Sequence, residues 1–174
     1  MACTLTTGRK LPCKSAVGGL KTVYFADFGT LGATTIASGE LTAIAGTPDL
    51  FQFDIKGNSS LESAINSSRE NGTTFYETTL NLTLTFLEKA TQEELKLIAH
   101  ARPHVFVEDY NGNYFVVGLE HGAEVTGGTI VSGAAMGDLS GFTLTMIAQE
   151  TAPPYFVTST VVTGNADATQ ITPN

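Results

Sequence analysis

A strict alternation of apolar and polar side chains runs through residues 77–86 and constrains the fold more than any other feature of the sequence. A period of two predicts a β-strand with one buried face. The predicted buried face holds four apolar residues, Leu80, Leu82, Leu84 and Phe86. The opposite face holds hydroxyls, one amide and one carboxylate, with no lysine or arginine: Glu77, Thr79, Asn81, Thr83 and Thr85.

A second strand is predicted just before this one. Residues 59–68 alternate weakly around Leu61 and Ile65, and the sequence Glu-Asn-Gly-Thr-Thr that follows is a turn signal. Residues 59–68 and 74–88 are therefore expected to form one long hairpin. Its polar face would then include Glu62 and Asn66 beside the row on the second strand.

The rest of the chain predicts more strands and a single helix. Runs bounded by turn residues predict strands at 18–29, 32–46, 49–56, 104–109, 114–120 and 139–150. The Pro-Pro pair at 153–154 limits the next segment to an edge strand, and the seven glycines between residues 118 and 141 predict turns and close backbone packing.

The helix is predicted over about residues 91–101. Thr91 lies three residues before Glu94, which is the spacing of a capping box. Leu95 and Ile98 follow at helical spacing, so we expect both to pack against the sheets.

Composition agrees with an all-β-dominated domain. The 174 residues suffice for one domain with a sizeable core, the charged content is low at 15%, and the 18 glycines suit a chain with many turns. These features favour a β-sandwich or partly open barrel with a long hairpin and one flanking α-helix. A net charge of −8 argues against a protein that binds nucleic acid by neutralising phosphates.

The cysteines and the hydropathy pattern bear on the compartment. Cys3 and Cys13 could form a disulfide, but two reduced thiols are favoured because the chain starts without a secretory signal. No apolar run approaches the roughly 20 residues of a membrane span. We expect a soluble protein that is made in a cytoplasm.

No residue pattern indicates catalysis, a cofactor or a metal site. Residues 8–15, GRKLPCKS, only superficially match a phosphate-binding loop, because cysteine replaces the second glycine. His100 and His104 are four apart, but Pro103 interrupts the helical face that a metal pair needs, so partly exposed structural roles are expected. Glu108 and Asp109 are expected to solvate a hairpin turn. The protein is therefore predicted not to be an enzyme.

The order of the elements resembles that of bacteriophage tail tube proteins, the major tail proteins. The resemblance rests on the glycine-rich stretch and strand EVTGGTIVSGAAMGDLSGFTLTMIAQETAPPYF, on GGLKTVYFADF near the start, on the long hairpin and on the single helix after it. It covers roughly residues 18–157. It implies one tail-tube-like domain over 1–174, with an N-terminal arm (1–17), a β-sandwich (18–157) and a C-terminal extension (158–174).

The resemblance also implies a function, a location and partners. Subunits would form hexameric rings that stack into a tube in the virion tail, made in the host bacterial cytoplasm, with no membrane, cofactor or catalysis. The partners would be copies of the same chain, other phage tail proteins and viral DNA that passes without specific binding. The predicted lumen-facing residues are Glu62, Asn66, Glu77, Thr79, Asn81, Thr83 and Thr85.

Three alternatives remain open at this point. A head–tail connector or tail terminator would form a single ring, and a capsid decoration protein would form a small closed oligomer. A carbohydrate- or cell-binding module would need exposed aromatic side chains at loop tips, where the chain offers Tyr110 and Tyr114.

Overall fold

The fold is two packed β-sheets with two helices. The computed structural model describes residues 7–10, 13–55 and 58–167. The strands are β1 Leu20–Ala26, β2 Thr34–Ala37, β3 Glu40–Ile44, β4 Phe51–Asp54, β5 Ser60–Ser68, β6 Thr73–Thr85, β7 His104–Asp109, β8 Tyr114–Val117, β9 Glu124–Val131, β10 Gly141–Glu150 and β11 Tyr155–Val157. The helices are α1 Lys89–His100 and α2 Ser159–Thr163. The predicted all-β, sandwich-like class is confirmed.

The two sheets differ in size. One has seven strands in the order β2-β3-β11-β8-β7-β1-β4, and the other has four in the order β5-β6-β10-β9. All pairs are antiparallel except β11 with β3. In the described chain, β5 and β9 are therefore the two edges of the four-stranded sheet.

The predicted long hairpin is confirmed as β5–β6. Its register runs from Ser60 opposite Asn81 to Ser68 opposite Thr73. Strand β10 pairs with β6 only as far as Tyr76. Residues 66–75, called the overhang below, therefore extend past β10 as a two-stranded ribbon.

Two hydrophobic cores lie on the two faces of the seven-stranded sheet. Val23 and Phe25 of β1 join the core between the sheets, called the central core below, where Leu80, Leu82 and Leu84 of β6 are also buried. The intervening β1 residues Tyr24 and Ala26 belong to a second core, which includes Val161 and Val162 of α2. A strand buried on both faces does not alternate in sequence, which explains the continuous apolar run in β1.

The predicted helix exists, but its predicted cap is wrong. Helix α1 begins at Lys89, two residues before Thr91, and its N-cap residue Glu88 makes no side-chain capping hydrogen bond. Leu95 is buried and Ile98 packs against the central core, both as predicted. Leu97 is 63% exposed.

Leu95 offers a test of this packing. Replacing Leu95 with alanine should lower the free energy of unfolding by about 2–5 kcal/mol, because the lost methyl groups leave a cavity in the core. Leu97→Ala is the matched control, and we expect it to change stability little since that side chain is already solvated. Urea unfolding followed by circular dichroism measures both, and equal effects would contradict the assigned helix face.

Several strand predictions need correction. Phe86 does not continue the buried row: β6 ends at Thr85, and Phe86 has a φ of 71° and is 73% exposed. Residues 32–46 form a hairpin of β2 and β3, because Ser38 and Gly39 both have positive φ and reverse the chain. The glycine-rich stretch contains a full strand, β9, that was predicted only as turns and close packing.

The C-terminal part also differs from expectation. Strand β11 was expected at a sheet edge but lies between β3 and β8. An interior position is possible because the strand begins at Tyr155, after the two prolines, so neither proline has to donate an N–H to the sheet. Residues 165–167 of the C-terminal extension pair within the chain, since the Leu50 N–H donates to the Asn165 carbonyl and the Asp167 N–H donates to the Leu50 carbonyl. Residues 168–174 lie outside the described residues.

Candidate functional site

The candidate site is the outer face of the four-stranded sheet, called the polar face below. It consists of the side chains of β5, β6, β9 and β10 that point away from the central core. The register places all seven residues predicted from the hairpin on it: Glu62, Asn66, Glu77, Thr79, Asn81, Thr83 and Thr85. It adds Thr143, Thr145, Ile147 and Gln149 from β10 and Glu124 and Thr129 from β9.

Local sequence explains why β6 presents this face. Its even-numbered residues from Thr78 to Leu84 are buried, so its odd-numbered residues must point outward. Asn81 and Thr85 are exposed, while Glu77, Thr79 and Thr83 are half-buried among neighbouring side chains. The polar face is therefore accessible to solvent along the length of the strand.

Cross-strand hydrogen bonds tie the polar face together. The Thr145 hydroxyl donates to Asn81 Oδ1 at 2.9 Å, and the Gln149 amide donates to Glu77 Oε2 at 2.7 Å. The hydroxyls of Thr129 and Thr143 lie 2.6 Å apart. These contacts use donors of the face internally, so fewer remain to bind an external anion.

The charge on the polar face has one sign. Its ionisable residues are Glu62, Glu77 and Glu124, and none of β5, β6, β9 and β10 contains a lysine or arginine. Glu150, the last residue of β10, faces inward instead, where it accepts the Glu120 N–H at 2.7 Å. Burial raises its pKa, although that hydrogen bond opposes the shift. A polyanion that approaches the polar face meets no fixed cation on its strands.

Both edges of the four-stranded sheet are open in the sense that no further strand pairs with them within the described residues, although α1 lies against β9. Strand β5 has nine residues and β9 has eight, and neither contains proline or lysine. Natural edge strands that stay unpaired are usually short or carry such residues. Ile65 on β5 is 68% exposed and Ile130 on β9 is 63% exposed. Each edge therefore presents unpaired backbone groups and one exposed isoleucine, while each also carries one glutamate and β9 has a bulge opposite Thr145 and Met146.

The sequence prediction found half of the polar face. It missed Thr143, Thr145 and Gln149, although these residues alternate with the buried Phe142 and Leu144. That alternation was a usable signal, but only the sheet order shows that β10 lies beside β6. The contribution of β9 had no such signal, because Gly127 and Gly128 interrupt its pattern.

The residues considered for catalysis are dispersed. His100 contacts the Lys96 carbonyl on the exposed side of α1. His104 is buried rather than partly exposed: its Nε2 accepts the Gly29 N–H at 3.0 Å, and its Nδ1 lies 2.6 Å from the Gly118 oxygen. Because Nε2 accepts, Nδ1 carries the proton, so His104 is held as one neutral tautomer.

The two acids at the β7–β8 turn have separate roles. Glu108 does not solvate the turn as expected, because it is buried and pairs with Lys21 at 2.7 Å. Asp109 does organise the turn, accepting the backbone N–H groups of Asn111 and Asn113 at 2.9 and 2.7 Å. Burial alone would raise the pKa of Asp109, but the hydrogen bonds from the side chains of Asn113 and Asn111, together with these backbone N–H groups, outweigh it and lower the pKa.

The buried, neutral state of His104 predicts that the folded protein loses stability as the pH falls. Burial lowers its pKa below the ordinary value of 6.5, and the hydrogen bond to Gly118 opposes this only partly. As the pH falls, the unfolded chain binds the proton before the folded chain does. The contribution of His104 to the free energy of unfolding is therefore present above about pH 6.5 and is lost as the pH falls toward the lower pKa of the folded state. We expect the melting temperature to drop over that window.

The control for this prediction is His104→Gln, which keeps a donor and an acceptor but does not titrate. The difference between wild type and His104→Gln isolates this histidine from Glu150, whose raised pKa acts with the opposite sign. Melting curves at a series of pH values measure it. Parallel curves for the two proteins would contradict the buried neutral state.

Comparisons with known proteins give no family. The sequence matches no family model, and a search of curated proteins finds no relative.

In the part of the chain that the structure describes, no helix is long and apolar enough to cross a membrane. Residues 7–10, 13–55 and 58–167 also contain no group of three His, Cys, Asp or Glu side chains that could hold a metal ion. Cys13 is exposed and free, and Cys3 lies outside the described residues.

Proposed function

We propose that this protein is a structural virion protein whose copies assemble into rings, stacked as a phage tail tube, with the polar face lining the channel for DNA. The observation that carries the proposal is a four-stranded sheet with one cation-free face and two open edges. The sequence resemblance to tail tube proteins supports the same function and supplies the expected hexameric ring.

The charge of the polar face suits a channel that DNA must cross without stopping. Duplex DNA carries one negative charge per about 1.7 Å of its axis. A lysine or arginine on the wall would bind phosphates, whereas Glu62, Glu77 and Glu124 repel them. In a ring each of these carboxylates repeats once per subunit, so a small negative charge per chain becomes a ring of negative charges around the channel.

The open edges suit ring closure. If β5 of one subunit pairs with β9 of the next, the four-stranded sheets join into one continuous wall and no edge of that sheet stays free. The contact is heterologous, because it joins two different edges, and heterologous contacts generate closed rings when the rotation closes. The exposed Ile65 and Ile130 would be covered as the edges meet.

A single-ring connector or terminator is the second candidate, since it would use the same open edges. A capsid decoration protein is less well supported, because a small closed oligomer has no use for a continuous polar wall.

Electron microscopy of the purified full-length chain tests the proposal. We expect stacked rings or tubes with a central hole in negatively stained images. Single rings that never stack would favour the connector or terminator, and small closed oligomers would favour the decoration protein. A chain that stays monomeric at high concentration would overturn the proposal.

A further inference from the structure

The chain contains two exposed Asn-Gly turns that differ in how their side chains are held. Asn71-Gly72 closes the β5–β6 hairpin, and Asn111-Gly112 closes the β7–β8 hairpin. The glycines have φ values of 63° and 79°, which is the left-handed region that glycine adopts without strain. In both turns the asparagine is exposed to water. They therefore form a matched pair within one molecule.

The Asn111 side chain is fully engaged. Its Oδ1 accepts the Val17 N–H at 2.9 Å, and its Nδ2 donates to the Val17 carbonyl at 2.8 Å and to Asp109 Oδ2 at 3.1 Å. The two hydrogen bonds with the Val17 backbone hold residue 17 against the turn, in the way that backbone hydrogen bonds join two strands. The backbone N–H of Gly112 is also engaged, since it donates to the Asp109 carbonyl at 3.2 Å.

Asn71 has none of these restraints. Its backbone N–H donates to the Ser68 hydroxyl at 3.3 Å. Within residues 58–167 and the other described segments, no hydrogen bond occupies its side-chain amide or the Gly72 N–H. Both reacting groups of this Asn-Gly pair are therefore free to rotate toward each other.

We propose that Asn71 is a site of spontaneous deamidation and that Asn111 is protected from the same reaction by its contacts with Val17 and Asp109. The Gly72 nitrogen loses its proton to solvent base and attacks the side-chain carbon of Asn71. A new C–N bond forms, the side-chain amide nitrogen takes a proton from water as its own bond to that carbon breaks, and ammonia leaves. Water then opens the cyclic imide to give aspartate or isoaspartate.

The product changes the tip of the overhang. The turn carries Arg69 and Glu70, so an added carboxylate makes its net charge negative. The isoaspartate form also inserts a methylene into the backbone of the turn. This inference depends on the geometry of the two turns and does not require the proposed function.

The test follows both sites in one protein sample. Dilute, unassembled full-length protein is incubated at mildly alkaline pH, and peptides are analysed by mass spectrometry for the conversion of amide to acid. The same incubation in urea, where the contacts of Asn111 are lost, is the control. Each hydrogen bond that must break lowers the reactive population by up to roughly tenfold.

We expect conversion at Asn71 to exceed that at Asn111 by at least about tenfold in the folded protein. In urea the two rates should become similar, because only the fold distinguishes them. Equal rates in the folded protein, or no conversion at Asn71, would overturn the proposal. Asn71→Gln should remove the signal from the hairpin peptide, and a signal that persists there would also overturn it.

Discussion

Replacing Ile65 with lysine should abolish ring assembly and leave a folded monomer. Ile65 lies on the open edge strand β5 and is 68% exposed, so the substitution removes no buried contact. A lysine on an edge strand opposes pairing with another strand, because its charge would have to leave water as the edges meet. Size-exclusion chromatography with light scattering measures the mass of the assembly.

The matched control is Ile36→Lys on β2, an edge strand of the seven-stranded sheet where the isoleucine is 42% exposed. We expect this variant to form normal rings, since no contact between subunits is assigned there. Normal tubes from Ile65→Lys would show that β5 is not an interface.

A lysine at Asn81 should slow or stall the ejection of DNA. Asn81 is exposed near the middle of the polar face, and the substitution costs one cross-strand hydrogen bond, that from Thr145. Folding should survive because the side chain is already solvated. A hexameric ring would then carry six new cations around the DNA path. Ejection should slow most at low salt, where the attraction between cation and phosphate is least screened.

Two substitutions control for charge and for position. Asn81→Gln keeps the face neutral at that site, and Gln92→Lys adds the same charge on the exposed surface of α1. Virions that carry either should eject DNA at the normal rate. The measurement is ejection rate against ionic strength, and a salt dependence of Asn81→Lys equal to that of wild type would contradict the channel assignment.

Local patterns made part of the fold predictable. The β5–β6 hairpin follows from a period of two with a turn between, and α1 follows from the spacing of Leu95 and Ile98. Both signals depend on residues near each other in sequence, so no knowledge of distant contacts is needed. The helix start was misplaced because a capping-box spacing can occur inside a helix, as Thr91 and Glu94 do here.

Other elements depend on contacts that the sequence does not display. Strand β9 contains Gly127 and Gly128, which have no side chains to alternate, and it is a strand because β10 offers backbone partners along its length. Phe86 leaves the buried row because the chain turns there, where its N–H bonds to the Ser140 carbonyl at 2.8 Å. The sequence therefore revealed one half of the polar face and left the other half to the pairing of distant strands.

The two faces of β6 are subject to different constraints over evolutionary time. Leu80 and Leu82 are almost completely buried, so changes in their volume disturb the packing of both sheets. Asn81 between them contacts solvent and one neighbouring hydroxyl, so its substitution leaves the core intact. Mutations can therefore accumulate on one side of a single strand while the other side stays fixed. The same separation would let a protein engineer give the exposed side new chemistry without redesigning the fold.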